Sequence, residues 1–199
     1  MTSTCPGGFA ISRVPRRLCT TWLAACTLVF SALYFTSDVI ELVQNGFSTS
    51  QLWLTFVAEA AVPVVVVGLG RAQRPRLGQF GVLSAWAYAA SYVAFTGTVI
   101  YALVEHSPDY TALSAELGPL LYLPGAVMVV AGIGFGAATW RAGVLPRWTG
   151  LLLLVGVVLV AAFQSAPGGL LLVAAGIRDL GLAGMGAALL SAPGSRRSL

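Results

Sequence analysis

Six long apolar runs fill this 199-residue chain and leave little room for anything else. They cover Leu18–Val43, Leu52–Leu69, Phe80–Val104, Pro119–Trp140, Trp148–Phe163 and Leu170–Leu190. A helix needs about 20 apolar residues to cross a hydrocarbon core of about 30 Å. Backbone groups in hydrocarbon find no water, so runs of this length are helical unless they alternate as barrel strands do, and these do not alternate. The fifth run is short and aliphatic, which suits a span standing nearly upright. The expected fold is all-α: a polytopic membrane protein with a transmembrane domain of six helices over 18–190, between cytoplasmic tails at 1–17 and 191–199.

The basic residues set the expected orientation. All eleven are arginines. Arg13, Arg16 and Arg17 precede the first run, Arg71, Arg74 and Arg76 follow the second, Arg141 and Arg147 follow the fourth, and Arg196 and Arg197 follow the sixth. The intervening gaps carry none. Arginine-rich loops stay cytoplasmic, so this alternation places both termini inside and predicts a bacterial cytoplasmic membrane protein. Trp53, Trp140 and Trp148 fall near the expected interfaces, where indole rings anchor spans.

Composition excludes other classes. With 57% hydrophobic and 9% charged residues, the chain cannot cover a soluble domain with polar surface. Its formal charge of +4 is dispersed over four stretches and does not form a nucleic-acid patch. Cys5, Cys19 and Cys26 lie in the tail and the inner half of the first span, away from any external loop, which argues against disulfides. With one histidine, His106, and no Cys/His spacing, nothing points to a metal site or asks for a cofactor. Leu23-Ala24-Ala25-Cys26 fits a lipoprotein cleavage box, but the apolar run continues to Phe35, as a spanning helix does and a signal peptide does not.

Connections are short and broken by Asn45-Gly46, Pro75, Pro146 and Pro167-Gly168-Gly169. The longest, Glu105 to Gly118, is an acidic external loop. The turns after the second and fourth runs share Arg-Ala, Pro-Arg and Gly, a pattern that fits two similar hairpins or simply the usual composition of inner turns. The stretch Gly132-Ile133-Gly134-Phe135-Gly136 contains a GxxxG, and Gly176, Ala183 and Ala187 offer small residues in the same manner. Such residues build helix contacts, within one chain or between two.

Ionisable groups in hydrocarbon cost about 2.5–3.5 kcal/mol by insertion scales and usually face a bundle interior. Glu59 lies about 10 Å below the external end of its span, and Arg178 and Asp179 about 12–14 Å below theirs. All three share a layer near mid-membrane. Neighbouring side chains diverge around a helix, so an inward-pointing Arg178 could meet Glu59, and Asp179 would then need another donor. Pro63 frees the Glu59 carbonyl for a ligand, a cation or water. Thr27, Ser31, Tyr34, Asp38, Glu41 and Asn45 form a stripe on the first span, and Ser84, Tyr88, Ser91, Tyr92, Thr96 and Thr98 another on the third. An outward-opening cavity among spans 1, 2, 3 and 6 would collect these groups with Trp86 and Phe95. Arg178, Asp38, Tyr34, Trp86, Tyr88 and Tyr92 are its candidate binding residues. The same groups could equally serve only to fix the bundle's register.

The stretch Leu121–Leu159, LYLPGAVMVVAGIGFGAATWRAGVLPRWTGLLLLVGVVL, resembles a pattern in multi-pass membrane proteins of high-GC bacteria, actinobacteria among them. The likeness covers about a fifth of the chain, implies membrane residence, and carries no activity over. A looser likeness is to small membrane-embedded terpene cyclases, which protonate an isoprenoid with acids on separate helices. That likeness would make Glu59 and Asp179 the catalytic acid and base, with Trp86, Tyr88 and Tyr92 stabilising carbocations. The aromatic–acid motif of those enzymes is missing around Glu59, where the chain reads Val57-Ala58-Glu59-Ala60-Ala61.

Two function classes remain open. One is a membrane protein without catalysis, accessory to a partner or handling a small solute or lipid. The other is an intramembrane acid–base enzyme on an isoprenoid or lipid. A transporter ranks lower, because inverted repeats and broken helices are not apparent. The lipid bilayer is the expected partner, and association with a second copy or another membrane protein is left open.

Overall fold

The computed structural model describes residues 16–191, with side chains from residue 20 onward. Cys5, Arg13, Arg196 and Arg197 lie outside the described residues, as do the side chains of Arg16, Arg17 and Cys19. The described chain is all-helical: α1 (Arg16–Gln44), α2 (Thr49–Ala72), α3 (Gly78–Glu105), α4 (Tyr110–Leu117), α5 (Pro119–Ala142), α6 (Arg147–Ala162) and α7 (Gly168–Ser191). Five of them, α1, α2, α3, α5 and α7, are long and apolar enough to cross a membrane. The sixth apolar run becomes α7, and the fifth becomes α6, which at 16 residues is about 24 Å long.

The long helices form a closed ring in chain order. α1 packs on α2, α2 on α3, α3 on α5, α5 on α6, α6 on α7, and α7 returns to α1. Short connections between packed neighbours make successive helices antiparallel. The ring therefore has two chemically distinct ends. Exposed Arg71, Arg74, Arg76, Arg141 and Arg147 gather at one. Asn45, Glu105, His106, Asp109 and Glu116 gather at the other.

The connection between α3 and α5 contains a helix that the apolar pattern did not reveal. Asp109, in extended backbone, accepts a hydrogen bond from Ala112 N through Oδ1 at 2.8 Å and so caps α4. Leu113 of α4 packs with Leu52, Val99 and Ala102, fixing the segment over the ends of α2 and α3.

Outside, the ring is apolar: Val64, Leu83, Leu123 and Val130 are each at least 70% exposed. Inside it buries Glu59, Arg178 and Asp179. A water-soluble bundle reverses that arrangement; this one is compatible with a membrane protein. Glycines set the closest helix approaches. The α5 glycines Gly132, Gly134 and Gly136 are spent within the chain, against Tyr88 and Val157, Ser84, and the Gly150 carbonyl respectively. A methyl on Gly156 would overlap the backbone of Arg178, so α6 and α7 touch where the buried arginine begins.

Candidate functional site

The polar cluster lies about halfway along the ring, on four helices. Toward the arginine end it rests on an apolar layer that includes Val62, Val66, Leu69, Phe135, Leu182 and Met185. Above that layer Tyr88 and Tyr92 are buried one turn apart on α3, their hydroxyls 3.4 Å apart and their rings edge to face. Tyr34 of α1 meets Tyr92 edge to face, at 6.3 Å between centroids. Its hydroxyl donates to Glu59 Oε1 at 3.0 Å. The Arg178 guanidinium stacks over the Tyr34 ring at 4.7 Å, a cation–π contact.

Arg178 does not pair with Glu59. Its Nε–H donates to Asp179 Oδ1 at 2.9 Å, and its Nη2 lies 4.0 Å from Asp38 Oδ2. The expectation of divergence fails because it describes Cβ directions. An arginine side chain is long enough to fold its tip back onto a neighbour. With the α7 backbone pressed against Gly156, the guanidinium turns toward α1, where Tyr34 and Asp38 wait. The first span thus contributes more to the cluster than the Glu59–Arg178 pairing implied.

Seven of the eight candidate residues named from the sequence come together in or beside this cluster: Tyr34, Asp38, Glu59, Tyr92, Arg178 and Asp179, with Tyr88 against Tyr92. Trp86 is 52% exposed and sits beside Arg71 and Arg74 at the arginine end. Phe95 turns toward Gly125 of α5. Helix geometry explains Trp86: it lies on the face of α3 opposite Tyr88. Thr27 donates to its own Leu23 carbonyl and packs against Gly186 of α7.

Three buried atoms of the cluster have no hydrogen-bond partner among the described residues: Glu59 Oε2, Arg178 Nη2 and Asp179 Oδ2. Unmade hydrogen bonds of buried charged groups are costly, and they are where ligands act. Three carboxyl groups, from Asp38, Glu59 and Asp179, surround one guanidinium. The cluster is therefore rich in acceptors and suited to proton exchange.

Asp179 has a second exposure. It forms part of the wall of a groove of about 580 Å³ that opens laterally between α1 and α7. Leu28, Ala32, Phe35, Val173, Ile177 and Leu180 make the groove apolar. This slot is lined by α1 and α7 alone, without a residue of α2 or α3, so it is not the cavity expected among spans 1, 2, 3 and 6. One residue joins the apolar slot to the buried polar cluster.

The sequence did not single out Ser37, Gln51 and Thr55, which build another buried polar knot near the α1–α2 turn. Only their placement on facing sides of α1 and α2 reveals it. Comparison with known proteins finds no matching family model, no matching curated protein and no matching solved structure.

Proposed function

We propose that this chain is a six-span protein of the bacterial cytoplasmic membrane, with both termini inside, that binds a lipid-soluble amphiphile of isoprenoid or lipid type. Five apolar helices and the apolar outer surface support lipid as the solvent. The arginine-rich end supports the orientation. On this reading α6 completes the sixth crossing, short as it is, between its neighbours in the ring.

One observation carries the ligand class: the carboxylate of Asp179 lies where the apolar slot meets the polar cluster. A slot of this volume falls in the range of small-molecule sites. An apolar tail would enter from the bilayer between α1 and α7, and its polar end would meet Asp179 and Arg178. The test uses the protein in nanodiscs with a diazirine-bearing isoprenoid alcohol. Crosslinks are expected on 28–35 and 173–183. Even labelling over the outer faces of α2, α3 and α5 would sink the proposal.

Acid–base chemistry on the same ligand is the second reading. It is favoured by Glu59 Oε2 and Asp179 Oδ2, two unpartnered carboxyl oxygens on different helices. Glu59→Gln and Asp179→Asn should then accumulate normally in membranes while losing product. Lost accumulation would mark the carboxyl groups as structural instead.

A further inference from the structure

The slot between α1 and α7 is apolar except at two side chains, Ser31 of α1 and Asp179 of α7. They stand at nearly one level. Gly186 lies against Thr27 and Gly176 against Phe35, so the two helices run antiparallel in a fixed register. Ser31, midway between Thr27 and Phe35, is therefore level with Gly181. Asp179 is two positions from that level, about 3 Å along the axis. Ser31 is half-buried, and its hydroxyl forms no hydrogen bond among the described residues. Thr27 and Thr36 of the same helix instead donate to the carbonyls of Leu23 and Ala32. Asp179 is 5% exposed. Its Oδ1 accepts from Arg178, and its Oδ2 has no hydrogen-bond partner among the described residues.

The depth of this pair decides which head group can sit there. Phe35 and Val173 cover it toward the acidic end, and Leu28 and Ala183 toward the arginine end. A phosphate held between those apolar layers would lose its water, at a cost far above that of a hydroxyl. It would also face the Asp179 carboxylate as a like charge, and Arg178 is no part of the slot wall. An ammonium gains little, because the Arg178 guanidinium already balances Asp179 at 2.9 Å. A hydroxyl fits both walls. It has one hydrogen to give to Asp179 Oδ2 and lone pairs to take the Ser31 hydrogen.

We infer that the slot selects a neutral amphiphile with a hydroxyl head, an unphosphorylated isoprenoid alcohol, and holds that hydroxyl between Ser31 and Asp179. The inference rests on the amphiphile-binding reading above and adds to it the charge of the head group and a residue, Ser31, that sets specificity. The tail leaves sideways past Ala32 and Leu180, both exposed on the slot wall. Arg178 acts on the ligand through Asp179, by holding Oδ1 and leaving Oδ2 as the acceptor.

The experiment is competition against the diazirine-bearing isoprenoid alcohol, with the full chain in nanodiscs. Farnesol, farnesyl monophosphate and farnesylamine are compared at equal mole fraction in the bilayer. Farnesol should displace the slot crosslinks about tenfold or more better than either charged analogue. Ser31→Ala should weaken farnesol about three- to tenfold, the loss of one hydrogen bond, and leave the weak displacement by the phosphate unchanged. Asp179→Asn should narrow the gap between alcohol and phosphate; should that protein fail to fold, Ser31→Ala decides. Equal or better displacement by the phosphate or the amine would overturn the inference, and so would unchanged farnesol affinity in Ser31→Ala. Those failures leave the slot labelling in place. Labelling spread evenly over the outer faces of α2, α3 and α5 would instead remove the amphiphile reading itself, and this inference with it.

Discussion

Arg178 and Asp179, consecutive on α7, are hydrogen-bonded to each other at 2.9 Å within the bundle interior. The pair is self-contained on one helix, so it can insert together, with its charge partly cancelled before α1 packs on it. Removing one partner of a buried ion pair strands the other. Arg178→Met should therefore destabilise the bundle by about 3–5 kcal/mol. Adding Asp179→Leu should restore much of the loss, because apolar replacement of both partners is often neutral or better. Unfolding of the three proteins in one detergent measures the effect. An Arg178→Met protein as stable as wild type would show that the pair contributes nothing.

Tyr34 holds Glu59 by a single hydroxyl at 3.0 Å, and the other Glu59 oxygen has no hydrogen-bond partner among the described residues. Tyr34→Phe keeps the ring contacts with Tyr92 and Arg178 and deletes only that donor. The cost should be about 1–3 kcal/mol, the penalty of an unsatisfied buried acceptor. A double-mutant cycle with Glu59→Leu isolates the bond. Additive effects would mean that the two side chains do not interact.

The close approach of α6 to α7 makes a local test of packing. Gly156→Ala should cost about 1–3 kcal/mol, as overpacking generally does, because its methyl meets the Arg178 backbone. Gly97→Ala, where a methyl meets nothing within 4 Å, should be neutral or stabilising by up to about 1 kcal/mol. Equal effects at the two glycines would contradict the helix contact.

These residues also show what a sequence can and cannot reveal here. The helices were legible because each apolar run is long and unbroken: the second, Leu52–Leu69, lies inside Thr49–Ala72 with only a few residues added at each end. Tyr88 and Tyr92 were legible because a four-residue interval fixes a shared face. α4 was not, because two turns give no periodicity; Asp109 ahead of Tyr110–Leu117 was its one signal. Gln51, Ser37 and Thr55 were not, because polar residues near a span end look the same whether they meet water or each other. The bond between Arg178 and Asp179 depends on rotamers, and rotamers are decided by neighbours such as Tyr34 and Gly156.

The cap of α4 predicts a regional effect. Asp109→Ala removes the acceptor for Ala112 N, a loss worth about 1 kcal/mol at a helix start. Amide exchange should accelerate over residues 110–117 and stay unchanged at Tyr88 and Arg178. Uniform acceleration would mean that α4 is part of the global cooperative unit; no change would mean that the cap does not hold it.

Orientation decides which ends of the ring meet which solution. Thr111 is exposed on α4 at the acidic end, and Val144 is exposed in the α5–α6 turn at the arginine end. In a background with Cys5, Cys19 and Cys26 replaced by serine, Thr111→Cys should react with a membrane-impermeant maleimide in intact cells. Val144→Cys should react only after the membrane is opened. The prediction follows from arginine retention on the cytoplasmic side, which acts through loops within about 15–20 residues of a span. It also tests α6. Were that helix to dip into the membrane and return to the arginine side, α7 would cross in the opposite sense and carry its C-terminal end outward. A cysteine at Ala187, exposed near the end of α7, would then label from outside. Protection of Ala187→Cys and Val144→Cys together, with Thr111→Cys reactive, is the pattern that six crossings require.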